Sequence, residues 1–383
     1  MSIPYCLPNT ISADTFLNEY WQKKPLLIKQ GLPTLANLFD PDDVLGLALE
    51  EEVSARLITQ NPSDTGDIWT LKHAPLTQKE LDKTPPLWTV LVQNLEQWSP
   101  ELGALWQAFD FIPKWQQDDI MVSYAPHGAS VGAHFDDYDV FLAQGYGKRR
   151  WQLGKFCTDD TTFVPNQPIR LLDDMGEIIF DEVLEAGDVL YVPPKLAHLG
   201  IAVGDSLTFS FGFRRPSPVQ VLDKLADVAT TLSGLFKPLI LPQVLQPHSH
   251  TLSTDSINAI KQEVLNLLNS SQGDALFTQA ISELVSRRQY DLLAFDDEID
   301  ADVLKDYLND GGTLVINHAS RFICVNDAWY INGEKFILDD TALAVLQRFL
   351  AGEVLGLEAL CDVNMQVLAT WVNDHWLIAH DNE

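Results

Sequence analysis

Apolar and polar positions change rhythm twice along the chain. From about residue 85 to 215 the apolar residues come in short runs rich in Val, Ile, Phe, Tyr and Trp: DIMVSYAP, DVFLAQG, RRWQLG, DVLYVPP and SLTFSFGFR, set apart by Gly and Pro. Many short strands punctuated in this way predict a β-sandwich or barrel. After Arg214 the period becomes three to four. Val221, Leu222, Leu225, Val228, Ala229 and Leu232 paint one stripe of a helix, and two more helices are predicted at 254–269 and 274–289. The proline-rich KPLILPQVLQPHSH between them reads as a linker. From about 296 a helix near 301–309, two strand-like runs in RFICVNDAWYINGEKFIL and a helix from about Asp340 follow in the order of a winged-helix module. Near the N-terminus, ADTFLNEYWQKKPLLIK predicts a short helix stopped by Pro25 and then a strand. Phe16, Tyr20 and Trp21 have the spacing to pack on the barrel, and Lys23 and Lys24 are expected in solvent. The division expected is 1–215, 216–295 and 296–383, an α+β chain.

Composition narrows the partners. Across 383 residues the formal net charge is −29, a field that repels phosphate backbones and attracts basic proteins. Direct nucleic-acid binding is not expected, even from a winged-helix-like tail, because the tail opens on the acidic DDEIDADVLKD. Cys6, Cys157, Cys324 and Cys361 are scattered and read as free thiols. The N-terminus has no signal-peptide pattern and no apolar run approaches a membrane span, so a cytoplasmic protein without membrane attachment is expected.

Candidate chemistry sits at His134 and Asp136, one residue apart and so on one face of an extended strand, with Phe135 turned to the core. His198 follows 64 residues later, after a strand that ends in Pro193-Pro194. Two imidazoles and a carboxylate make the facial triad of non-haem iron(II) oxygenases, which leaves positions open for a co-substrate and dioxygen. Such a pair is more often a solvated contact when it stands alone. Here it is joined by the basic triplet Lys148-Arg149-Arg150, ending the strand after the ligands, and by Ser206, Thr208 and Ser210 alternating on one strand face. A keto-acid co-substrate needs its far carboxylate neutralised, and Arg149 is the choice, with Lys148 and Arg150 facing the opposite way as surface charge.

The segments YWQKKPLLI (20–28), GAHFDDYDVFLAQGYGKRRW (132–151) and DVLYVPPKLAHLG (188–200) resemble the bacterial JmjC-type ribosomal oxygenases. The resemblance implies a double-stranded β-helix (cupin/JmjC jelly-roll) barrel, a helical dimerisation region and a winged-helix-like C-terminal domain. It implies an iron(II)- and 2-oxoglutarate-dependent dioxygenase that uses O2 to hydroxylate an arginine, at the β-carbon, of a basic large-subunit ribosomal protein. His134, Asp136 and His198 match the metal ligands, Arg149 the anchor of 2-oxoglutarate, and Ser123, Thr208 and Ser210 its polar neighbours. A homodimer through 218–289 is likewise implied; its apolar stripe could instead pack on the chain's own barrel. Relatives often carry a glycine-rich entrance where this chain has HGASVG, whose His127 is read as a loop residue. For a cationic substrate side chain, Asp137, Tyr138, Asp139 and Tyr146 are the candidate contacts, Tyr146 as an exposed ring in a Gly-Tyr-Gly turn; the two aspartates could equally be structural, and Tyr146 could be packed in the core. Alternatives are the same chemistry on a histidine or lysine, or a metal-sensing regulator that binds through its winged-helix-like tail.

Overall fold

A computed structural model describes residues 3–63, 66–241, 250–288, 290 and 298–380. Most of the linker expected at 237–250 and the boundary expected at 295/296 lie outside them. Two compact units are present. One comprises Met1–Arg214, Gln289–Ala319 and Thr341–Glu383; the other comprises Arg215–Arg288 and Ser320–Asp340.

The first unit is built on one nine-stranded antiparallel sheet. Its strands are β1 (Leu26–Ile28), β2 (Ala55–Asn61), β3 (Ile68–His73), β4 (Leu87–Val92), β5 (Gln117–Ala125), β6 (Asp139–Phe156), β7 (Phe180–Glu185), β8 (Val189–Val192) and β9 (Leu196–Phe213). Their order is β1-β8-β6-β9-β5-β4-β2-β3, and β7 joins the outer half of β6. β6 and β9, each 18 residues long, pair along nearly their whole length and are bent by register shifts at 144/146, 146/148 and 153/156. The N-terminal half of β6 pairs with β8 and the C-terminal half with β7.

Alternation decides which side chain goes where. On β9, Leu207, Phe209, Phe211 and Phe213 enter the main core while Ser206, Thr208 and Ser210 take the opposite face. The helix Ala13–Glu19, capped by Ser12 through the Thr15 amide, lays Phe16 into that core. Phe16 and Trp21 meet Phe141 and Tyr191, with centroids at 4.9–6.5 Å, in a cluster that also holds Phe109 and Phe213. Lys23 and Lys24 are exposed, as expected. On β6 the alternation is cleanest past residue 147: Arg149, Trp151 and Leu153 are buried, while Lys148 and Arg150 are exposed and pair with Glu185 and Asp181 of β7 at 2.5 and 2.5–2.6 Å. The triplet therefore lies within a strand rather than at its end. Tyr146 is likewise in β6, at an irregularity of the ladder and not in a turn; it is half-buried and packs against the main core.

The unit also holds the helix Ala301–Asn309, β10 (Thr313–Ile316), the helices Asp340–Leu350 and Met365–Asn373, and the strand Leu377–His380 paired with β10. In the second unit, helix Pro218–Ala229 packs Leu225 and Val228 against Leu276 and Ala280 of helix Ser271–Ser286. Part of the apolar stripe is thus satisfied inside this unit, while Val219, Leu222 and Phe236 are 65–75% exposed and Ile257 is 50% exposed. Helix Thr254–Leu268 matches its expected span, and the next helix starts and stops three residues earlier than expected. The hairpin region has three strands, β11 (Phe322–Val325), β12 (Ala328–Ile331) and β13 (Glu334–Phe336), where two runs were expected, because Asn332-Gly333 turns the chain once more.

Candidate active site

His134 and His198 face each other as a hydrogen-bonded antiparallel pair. Each backbone amide donates to the other's carbonyl, at 3.0 and 2.8 Å, so two residues far apart in sequence are fastened side by side. The Pro193-Pro194 turn makes this possible: Lys195, at φ +63°, donates its amide to the Asp136 carbonyl at 2.6 Å, and β9 then begins. His134 and Asp136 are not on a regular strand, since β6 starts at Asp139; the loop carries them to one face all the same. Phe135 turns away, into a small cluster with Phe163 and under the Arg170 guanidinium, rather than into the main core.

The donor atoms of His134, Asp136 and His198 lie within 4.8 Å of one another, and the imidazole centroids are 4.2 Å apart. Nδ1 of His134 is 2.9 Å from the Gly132 carbonyl and Nδ1 of His198 is 2.9 Å from the Leu196 carbonyl. A carbonyl only accepts, so both Nδ1 atoms carry a proton and the Nε2 atoms are the ones left to face an ion. Burial, with the neighbouring His134 second, pushes His198 down to about 4, so its imidazole is neutral at pH 7. Two imidazoles and a carboxylate at this spacing fit a divalent transition metal with an open face.

Arg149 closes the other end of a cavity of about 470 Å³. It donates from Nε to Ser206 Oγ at 3.2 Å and from Nη1 to Ser123 Oγ at 2.8 Å; its Nη2 is buried with no partner. Burial lowers its affinity for the proton, to about 10, and no carboxylate offsets that. A buried cation with one donor unsatisfied fits an anionic ligand, and a dicarboxylate reaching the metal would meet both ends. Thr208 and Ser210 line the same cavity, and Thr208 Oγ1 donates to Gln144 Oε1 at 2.8 Å.

The expected substrate contacts divide. Tyr138 lines the cavity; burial and then Asp136 hold its hydroxyl protonated, and the Arg214 guanidinium lies 4.6 Å from its ring. Asp137 is exposed and outside the lining. Asp139 is buried away from it, accepting from Tyr191 Oη at 2.6 Å and Gln22 Nε2 at 3.3 Å, which makes it a structural acceptor. Tyr146 is outside the lining too, held by the core. His127 accepts from the Gly204 amide at 3.1 Å and is a loop residue. Sequence reasoning missed Asp119, Met121, Arg56 and Trp151, all on the cavity wall. The first two were within reach, since 119, 121 and 123 share one face of β5 and Ser123 was already assigned there.

Comparison with known proteins agrees with this geometry. A family described as JmjC domain matches residues 104–221, and one described as ROXA-like winged helix matches 263–378. A probable ribosomal oxygenase of Haemophilus influenzae is 43% identical, covering 98% of both chains. The ribosomal protein uL16 3-hydroxylase of Escherichia coli is 32% identical over 85% of this chain and 86% of its own. The crystal structure of E. coli YcfD, a ribosomal oxygenase, matches 99% of the chain with a TM-score of 0.82 at 29% identity, and a YcfD complex with cobalt and 2-oxoglutarate matches 97% with a TM-score of 0.80. A histidine, aspartate and histidine gathered at one end of a cavity, an unbalanced arginine at the other, and relatives of this identity along almost the full length place the chain in the JmjC-type ribosomal oxygenases, the 2-oxoglutarate-dependent dioxygenases that act on ribosomal proteins.

Proposed function

We propose that the protein hydroxylates the β-carbon of one arginine in the large-subunit ribosomal protein uL16, the substrate named for its E. coli relative. The observation that carries this reading is the single cavity holding both the His134/Asp136/His198 cluster and the buried, unbalanced Arg149. When bound, iron(II) with 2-oxoglutarate supplies the oxidative chemistry, consuming O2 and releasing succinate and carbon dioxide as one oxygen enters the substrate. His134, Asp136 and His198 would hold the metal, each imidazole fixed by its Nδ1–H to a main-chain carbonyl. Arg149, with the Ser123 and Ser206 hydroxyls bracing it, orients the co-substrate from its far carboxylate. Asp119 on the cavity wall supports this reading by offering negative charge to a substrate guanidinium.

The test is succinate release by purified protein given iron(II), ascorbate and 2-oxoglutarate, with and without uL16 peptides, and mass spectrometry of the peptides. One arginine gaining an oxygen, and none with His134→Ala, supports the reading; an oxygen on histidine or lysine redirects it, and no turnover with any ribosomal peptide overturns it.

In the same reading the catalytic segment is 1–215, and 216–295 mediates a homodimer in the cytoplasm. The exposed Val219, Leu222 and Phe236 support a covered face. Leu222→Asp with Phe236→Asp is expected to convert dimer to monomer in sedimentation velocity.

A further inference from the structure

Four arginines line the cavity, and three have clear protein partners, whether or not their charge is balanced. Arg149 holds two serine hydroxyls. Arg170 lies 5.0 and 4.6 Å from the Phe135 and Phe163 rings, and Arg214 pairs with Asp118 beside Tyr138. Arg56 is different. Its Nη2 reaches only the Met121 sulfur, at 3.6 Å, a weak acceptor, and its Nε is buried with no partner. Among the described residues no carboxylate or aromatic ring meets it.

Sheet register locates Arg56 on the wall. It pairs with Leu91 on β4, and Leu91 pairs with Ser123 on β5, so its backbone lies two strands, roughly 10 Å, from the serine that braces Arg149. The co-substrate's far carboxylate is already matched by Arg149. What remains for Arg56 is an acceptor on the molecule that enters from outside. The target guanidinium does not fit, because like charges repel and Asp119, two positions before Met121 on the same face of β5, offers it the opposite charge. A peptide lying across this wall carries its nearest acceptors in its own main chain.

We propose that Arg56 is a substrate-positioning residue whose guanidinium donates to a main-chain carbonyl of the peptide beside the target arginine. This rests on the arginine-hydroxylase reading above. With the side chain held at Asp119 and the main chain at Arg56, the bond to be hydroxylated is fixed from both ends.

Labelled uL16 peptides, one per arginine, are titrated anaerobically into the full chain loaded with Mn(II) and 2-oxoglutarate. If wild type binds none, the hydroxylase reading falls and this inference with it. Where wild type binds, Arg56→Met is expected to weaken the peptide about 10-fold and Arg56→Lys less, as for loss of one charge-assisted bond. Affinity for 2-oxoglutarate, by calorimetry, stays within about twofold, and Tm holds or rises because the folded chain loses only a sulfur contact. Unchanged peptide affinity in Arg56→Met overturns the proposal while leaving the hydroxylase reading intact. A parallel drop in co-substrate affinity or in Tm overturns it too, by making Arg56 part of the 2-oxoglutarate site or of the fold.

Discussion

Loss of water acts on both Arg149 and His198, favouring the neutral imidazole that a metal needs and opposing the cation that a carboxylate needs. For Arg149 the loss is uncompensated in the ligand-free chain, so Arg149→Met should leave Tm unchanged or raise it while weakening 2-oxoglutarate about 10- to 100-fold, as ~1.5–3 kcal/mol for charged hydrogen bonds implies. Calorimetric titration beside a thermal melt separates the two effects. For His198 the sign runs the other way along the pH axis. Its folded value, about 4, is below the ordinary 6.5, so the unfolded chain binds the extra proton first on acidification. Metal-free protein should hold its full stability above pH 6.5 and lose roughly 3 kcal/mol from this group as pH falls through 4. His318, held near 4 by burial and Lys114, titrates in the same window, so melts of His318→Gln isolate the share of His198. At this scale the sequence was most informative where chemistry is rare, in two histidines, one aspartate and one arginine. It was least so for Tyr146, an ordinary residue type whose direction depends on a bulge.

That bulge belongs to the element scale. Gly145-Tyr146-Gly147 reads as a turn because glycine marks turns, yet long-range pairing with β9 carries the strand straight through. Gly147 has φ +63°, and a Cβ there would lie 2.0 Å from the Asp205 carbonyl oxygen. Gly147→Ala is expected to destabilise the unit by about 2 kcal/mol or more, seen as a Tm lower by several degrees, and to weaken 2-oxoglutarate because Arg149 is two residues on. The alternation beyond the bulge was legible, and it put Arg149 inward and its neighbours outward. The link between His134 and His198 was not, since it is a pairing across 64 residues that no local pattern encodes.

Across the whole molecule, order along the chain and grouping in space differ. The three sequential segments expected at 1–215, 216–295 and 296–383 were drawn from changes of periodicity. In space, 320–340 group with 215–288, and 298–319 group with the sheet, as nothing local to those residues reveals. Net charge is a property of this scale, and −29 favours encounter with a basic partner through long-range attraction. Association of uL16 with the protein should slow about 10-fold or more between 20 and 300 mM salt while dissociation changes little, measured by stopped-flow fluorescence.

The paired backbones of His134 and His198 also bear on timing. Because the two imidazoles are stapled by main-chain hydrogen bonds and aligned by the Gly132 and Leu196 carbonyls, no ordering of their main chain is expected before an ion can enter. Capture and release of the ion are then expected to need no refolding of the main chain that carries the two imidazoles.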